Sequence, residues 1–85
     1  MYEYFFTFRS VTAAQSAAKR LEQAGIAAAM LRTPRGLQKQ GCGYSLRVRA
    51  GQFSEAHGLL TQFSAPFQRI YGKAPGGRWE EVLRP

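Results

Sequence analysis

The chain holds one cysteine in its 85 residues, Cys42, and one histidine, His57. A lone thiol excludes an intrachain disulfide, so the core alone must hold the fold together. Acidic residues are also few, five against twelve Lys and Arg, for a net charge of +7. That balance favours polyanionic partners in general: nucleic acid, an acidic protein face or a phosphorylated small molecule. A solubilising surface charge accounts for it equally well. No apolar run approaches the roughly 20 residues of a transmembrane helix, so no membrane partner is expected. The apolar start, Met1-Tyr2-Glu3-Tyr4-Phe5-Phe6, is too short for a signal peptide and lacks a basic lead. With one cysteine and no export signal, the expected location is a reducing cytoplasm. His57 has no second ligand at metal spacing and reads as a partly exposed surface residue, so no metal is expected. Gly36, Gly41 and Gly43 do not form a phosphate loop leading into a helix, and no cofactor is expected.

What is present is apolar matter: 45% hydrophobic and 13% aromatic residues. That composition argues for a packed globule, and the length allows one small core. Residues 2–8 have strand composition, with Tyr2, Tyr4, Phe6 and Phe8 on one face and Glu3, Phe5 and Thr7 on the other. The first face is the predicted core face. Ser10 or Thr12 then caps a helix, Thr12 with Gln15 fitting a capping box. Ala14, Ala17, Ala18, Leu21 and Ala24 recur at helical spacing, and Gly25 is the expected left-handed stop.

Residues 26–31 read as a short strand, and residues 33–42 as a loop opened by Pro34 and closed by Gly41 and Gly43. Residues 44–49 alternate, with Tyr44, Leu46 and Val48 inward. Ser54 is the expected cap of a second helix whose stripe is Phe53, Ala56, Leu60 and Phe63. A strand over residues 67–71 closes the domain, and residues 73–85 form a tail that could dock through Trp79. The order β-α-β-β-α-β predicts an α+β fold: a ferredoxin-like sandwich, a four-stranded antiparallel sheet with two helices on one face. The domain is expected over residues 1–72.

Cys42 lies between Gly41 and Gly43, after a run that includes Pro34, Arg35 and Lys39. It is packing filler, a metal ligand shared between chains, or a reactive group. Burial as a small hydrophobe is common for free cysteine. In the predicted topology the loop falls at the end of the sheet where Arg9, Ser10 and Thr12 open the first helix. A helix amino terminus carries unpaired N–H groups and a partial positive charge. Thiols in such a setting, or near Arg and Lys, shift toward the thiolate. Arg35, Arg9 and Lys39 are the candidate thiolate-tuning or anion-binding residues, with Ser10 and Thr12 beside them.

The strings Phe6-Thr7-Phe8-Arg9-Ser10, Gly25-Ile26, Leu31-Arg32-Thr33-Pro34-Arg35 and Cys42-Gly43-Tyr44-Ser45-Leu46-Arg47 resemble, in order and spacing, a family of small bacterial selenium/sulfur carrier-like proteins. The resemblance covers residues 4–72. Cys42 matches the family's cysteine, and Pro34 and Arg35 its proline-arginine element. Arg32 stands where many members have proline, and the loop to Cys42 is slightly longer. The resemblance implies a carrier more than a stand-alone enzyme: Cys42 accepts a persulfide or perselenide from a donor protein and passes it to an acceptor.

Two other readings compete. An RNA-binding module would use the open sheet face, with Glu3, Phe5 and Thr7 on the first strand and Ser45, Arg47 and Arg49 on the third. That face offers one aromatic and no ribonucleoprotein signature. A regulatory or dimerisation module would pair that face with a second copy through Leu31, Phe5 and the Trp79 tail.

Overall fold

Strand and helix signals alternate along the chain, and the computed structural model, described here for residues 2–33 and 43–82, turns them into two layers. The elements are β1 (Glu3–Phe8), α1 (Val11–Gln23), β2 (Ala28–Arg32), β3 (Tyr44–Arg49), α2 (Ala50–Gln62), β4 (Phe67–Lys73) and β5 (Glu80–Glu81). All pairings are antiparallel, in the order β2-β3-β1-β4-β5. The expected sheet of four strands is thus corrected to five. The fifth arises because the chain turns back after β4 and sets Glu80 and Glu81 opposite Gly72 and Tyr71. Two residues with carboxylate side chains carry no strand signal of their own; pairing to β4 makes them one.

The core lies between the sheet and the helices. Phe6 pairs with Leu46 on one side and Ile70 on the other, and this rung meets Ala14, Ala17, Leu21, Ala56 and Leu60 from the helices. Phe6, Phe8, Leu21, Leu46 and Leu60 are fully buried, each contributing about 1.5–3 kcal/mol of transfer free energy. Tyr4 stacks on Phe53 with centroids 4.0 Å apart, which fastens α2 to the centre of the sheet. Register shifts between Thr7 and Phe8, so that Phe67 rather than Gln68 lies opposite Phe8. That bulge keeps Phe67 on the helix side, edge-on to Phe6.

Local sequence explains most boundaries and misses a few. Ser10 is the cap of α1, its Oγ accepting from Ala13 N at 3.0 Å; Thr12 is exposed inside the first turn. The expected stripe position Ala24 is an exposed C-cap instead, followed by Gly25 at φ +81°. Residue 26 belongs to no strand: Ile26 is buried in the core and β2 starts at Ala28. Nor does Ser54 cap α2. The helix begins at Ala50, straight out of β3, with no side-chain cap on Arg49. One of the orphan donors at that end is satisfied by the sheet instead: Ala50 N donates to Tyr2 O at 3.2 Å. At the far end, Phe63 is 45% exposed rather than packed in the stripe, and the Arg20 guanidinium lies 3.9 Å over its ring. Ser64 then takes φ 54°, where α1 uses glycine; a side chain in that region costs about 1–2 kcal/mol.

The sheet face away from the helices is not open as expected. Phe5 is 5% exposed and Thr7 and Ser45 are fully buried. Trp79 packs edge-on to Phe5 at 4.7 Å, with Lys73 Nζ 5.5 Å over the indole. The β4–β5 hairpin is fastened by Arg69 to Glu81 at 2.7 Å, Val82 N to Ile70 O at 2.7 Å and Tyr2 Oη donating to Glu80 at 3.0 Å. Partial desolvation and that hydrogen bond to a carboxylate raise the Tyr2 pKa above its ordinary 10.0. Among the described residues no helix is long and apolar enough to cross a membrane.

Candidate functional site

Four strands meet the start of α1 at one end of the sheet, and that end carries Thr33 and Gly43, which flank the segment between β2 and β3 as its stem. Arg32, Tyr44, Phe8 and Phe67 form one rung across β2, β3, β1 and β4. One step further, Thr33 N donates to Gly43 O at 3.0 Å, so the ladder between β2 and β3 continues to the stem. Thr33 Oγ1 and Ser45 Oγ share a buried hydrogen bond of 2.8 Å on the side away from the helices. This hydroxyl pair was missed in sequence, although Thr33 and Ser45 are both small polar residues flanking a loop. Two buried hydroxyls that satisfy each other stiffen the stem without leaving a polar group unpaired.

Of the residues proposed in sequence to surround Cys42, Arg9, Ser10, Thr12 and Gly43 are described and all lie at this end. Arg9 follows Phe8 and is exposed. Ser10 spends its oxygen on the cap, whereas Thr12 makes none. Gly43 is half-buried, and a Cβ there would meet nothing within 4 Å, so local space does not require glycine. Cys42, Pro34, Arg35, Lys39 and Gly41 lie outside the described residues.

The electrostatics of this end follow from where the five glutamates fall. Glu3 starts β1, Glu22 ends α1, Glu80 and Glu81 flank the Gly72 end of β4, and Glu55 sits in the first half of α2. All belong to the other half of the molecule. The loop end is left with Arg9 and Arg32, the latter 5.5 Å from the Tyr44 ring, and with the amino terminus of α1, whose first turn has no acidic residue. Such an end attracts anions and favours the deprotonated form of a thiol near it.

The RNA reading fares worse. The aromatic it needs, Phe5, lies beneath Trp79 and is unavailable for stacking on a base. His57 is partly exposed, as expected, but its ring is set among aromatic side chains. It is half-buried near Phe53 and Phe67, with Nε2 buried and without a hydrogen-bond partner among the described residues. Among those residues no group of three His, Cys, Asp or Glu could hold a metal ion.

Among the described residues the chain is a two-layer α+β domain with five antiparallel strands and two helices, and Arg9, Arg32 and the amino terminus of α1 gather at one end of its sheet. Residues 3–72 match the family model described as "Putative Se/S carrier protein-like", and the chain belongs to that family. The matched span runs through β1 to β4 and takes in both helices and the loop segment. No curated protein and no solved structure matches the chain.

Proposed function

We propose that the protein carries sulfur or selenium on Cys42, in a reducing cytoplasm, between a donor and an acceptor protein. The observation that supports this reading most is the family match over residues 3–72, which includes the only cysteine of the chain. The chemistry asks little of the carrier. The Cys42 thiolate attacks the outer sulfur of a donor persulfide; the new S–S bond forms as the donor's S–S bond breaks, and the donor leaves as a thiolate. An acceptor thiolate repeats the exchange on Cys42 persulfide, so no electrons are gained or lost. With selenium the transferred atom differs and the balance is the same.

A carrier needs a thiol that is ionised near neutral pH and has no resolving cysteine in its own chain. The cationic end around Arg9 and Arg32 and the amino terminus of α1 support the first condition, and the composition meets the second. Arg35 and Lys39 add to that charge in the loop sequence. In the sequence, Pro34 carries a restricted φ, and Gly41 and Gly43 place no side chain on either neighbour of Cys42.

The test is intact-mass analysis after incubation with a cysteine desulfurase and L-cysteine. Wild-type protein gains one sulfur atom, which an acceptor thiol then removes, and Cys42→Ser gains none. A Cys42 that titrates like an ordinary cysteine and gains no sulfur ends the carrier reading.

A further inference from the structure

The two edges of the sheet are finished differently. At one edge stands β5, two exposed glutamates tied down by Tyr2 and Arg69. Charge on so short a strand discourages pairing with another chain. At the other edge stands β2, Ala28-Ala29-Met30-Leu31-Arg32, without proline, bulge or any charge before its last residue. Met30 is 40% exposed there.

The backbone directions on β2 follow from the stem. Thr33 N donates to Gly43 O, so residues in phase with Thr33, namely Leu31 and Ala29, turn their N–H and C=O groups toward β3. Ala28, Met30 and Arg32 therefore turn theirs outward, and none of those groups has a backbone partner among the described residues. Beside this edge runs a groove of about 710 Å³, floored by residues 26–30 and walled by Gln15, Ala18, Lys19 and Glu22 of α1.

We propose that this edge pairs with the β2 edge of a second copy of the chain, antiparallel about a twofold axis at Met30. This inference does not rest on the carrier reading. In that register Met30 faces its own counterpart and Ala28 faces Arg32, so all the outward backbone groups are used at once. The side chains of Ala28, Met30 and Arg32 share the helix side of the sheet, in phase with Leu46 and Val48. Arg32 of one copy thus approaches the groove of the other at its Ala28 end, where Glu22 stands. That complementarity is what selects a second copy over an unrelated strand: the edge carries a cation at its Arg32 end, and the groove beside its Ala28 end holds Glu22 of α1 together with Lys19 and Arg49. Ala18 is small enough to let the two α1 helices come together over the new seam.

Sedimentation equilibrium on the full chain, at about 0.15 M salt so that repulsion between the +7 charges is screened beyond roughly 8 Å, reads the outcome. Wild type is expected at twice the mass of one chain. Met30→Pro removes an outward N–H that β3 does not use, and weakens association about tenfold or more while far-UV circular dichroism is unchanged. Glu22→Arg weakens it about fivefold, and adding Arg32→Glu restores it. A wild-type monomer at about 100 μM, a dimer indifferent to Met30→Pro, or a double variant that stays weak would each overturn the proposal. If Met30→Pro fails to fold, the charge exchange decides alone.

Discussion

Gly72 shows how one residue's missing side chain holds two distant segments together. A Cβ at Gly72 would sit 2.5 Å from Tyr2 Oη and 2.6 Å from Tyr2 Cε2, so the Tyr2 ring lies on the strand where a side chain would be. From that seat the phenol reaches Glu80, which links the chain start to β5. Gly72→Ala should therefore expel the ring and cost about 1 kcal/mol in urea denaturation. In a Tyr2→Ala background the same change should cost markedly less, because the clash has gone. Tyr2 also adds a pH signature. Its folded pKa is raised, so its share of stability is complete below the ordinary value of 10.0 and is lost as pH rises through the folded value. A spectroscopic titration comparing wild type with Tyr2→Phe reads the shift directly, and Glu80→Gln should lower it. None of this was legible in sequence, where Gly72 is one glycine among nine.

At the scale of elements, α1 was legible almost to the residue, because alanines at helical spacing, a cap and Gly25 agree with one another. The choice between Ser10 and Thr12 was not legible, since both precede plausible first turns. Structure selects Ser10, whose oxygen meets Ala13 N. Ser10→Ala should then cost about 1 kcal/mol of stability, while Thr12→Ala should stay within about 0.5 kcal/mol of wild type. Equal effects in denaturant titrations with a constant slope would contradict the assignment. The start of α2 was misplaced by the opposite logic. Sequence rules look for a side-chain cap, and Ala50 finds its acceptor in the backbone of Tyr2, a residue 48 positions away in the chain. The hairpin to β5 escaped notice for a similar reason, since only pairing to β4 makes a strand of two glutamates.

For the molecule as a whole, charge is segregated rather than balanced. The two ion pairs among the described residues, Glu3 with Arg47 at 3.6 Å and Glu81 with Arg69 at 2.7 Å, are exposed and contribute at most about 1 kcal/mol each. Self-repulsion from a net +7 outweighs them at low ionic strength. Raising salt from about 10 mM to about 0.3 M should thus raise the melting temperature by a few degrees, because the Debye length falls well below the molecular diameter. A fall in melting temperature would mean that attractive pairs dominate. The same segregation leaves the loop end cationic while the glutamates gather in the other half.

The amino-acid sequence by itself determined the α+β class, the core residues of β1, β3 and α1, the family, and the single thiol available to it. These follow from local periodicity and from short strings, which the chain carries without reference to its own folding. Tertiary structure alone decided that Phe5 is covered by Trp79, that Thr33 and Ser45 close the loop stem, that β5 guards one edge while β2 stands exposed at the other, and that the carboxylates lie away from the loop end. Each of these joins residues far apart in the chain, and their proximity depends on strand order and register, which no local pattern encodes.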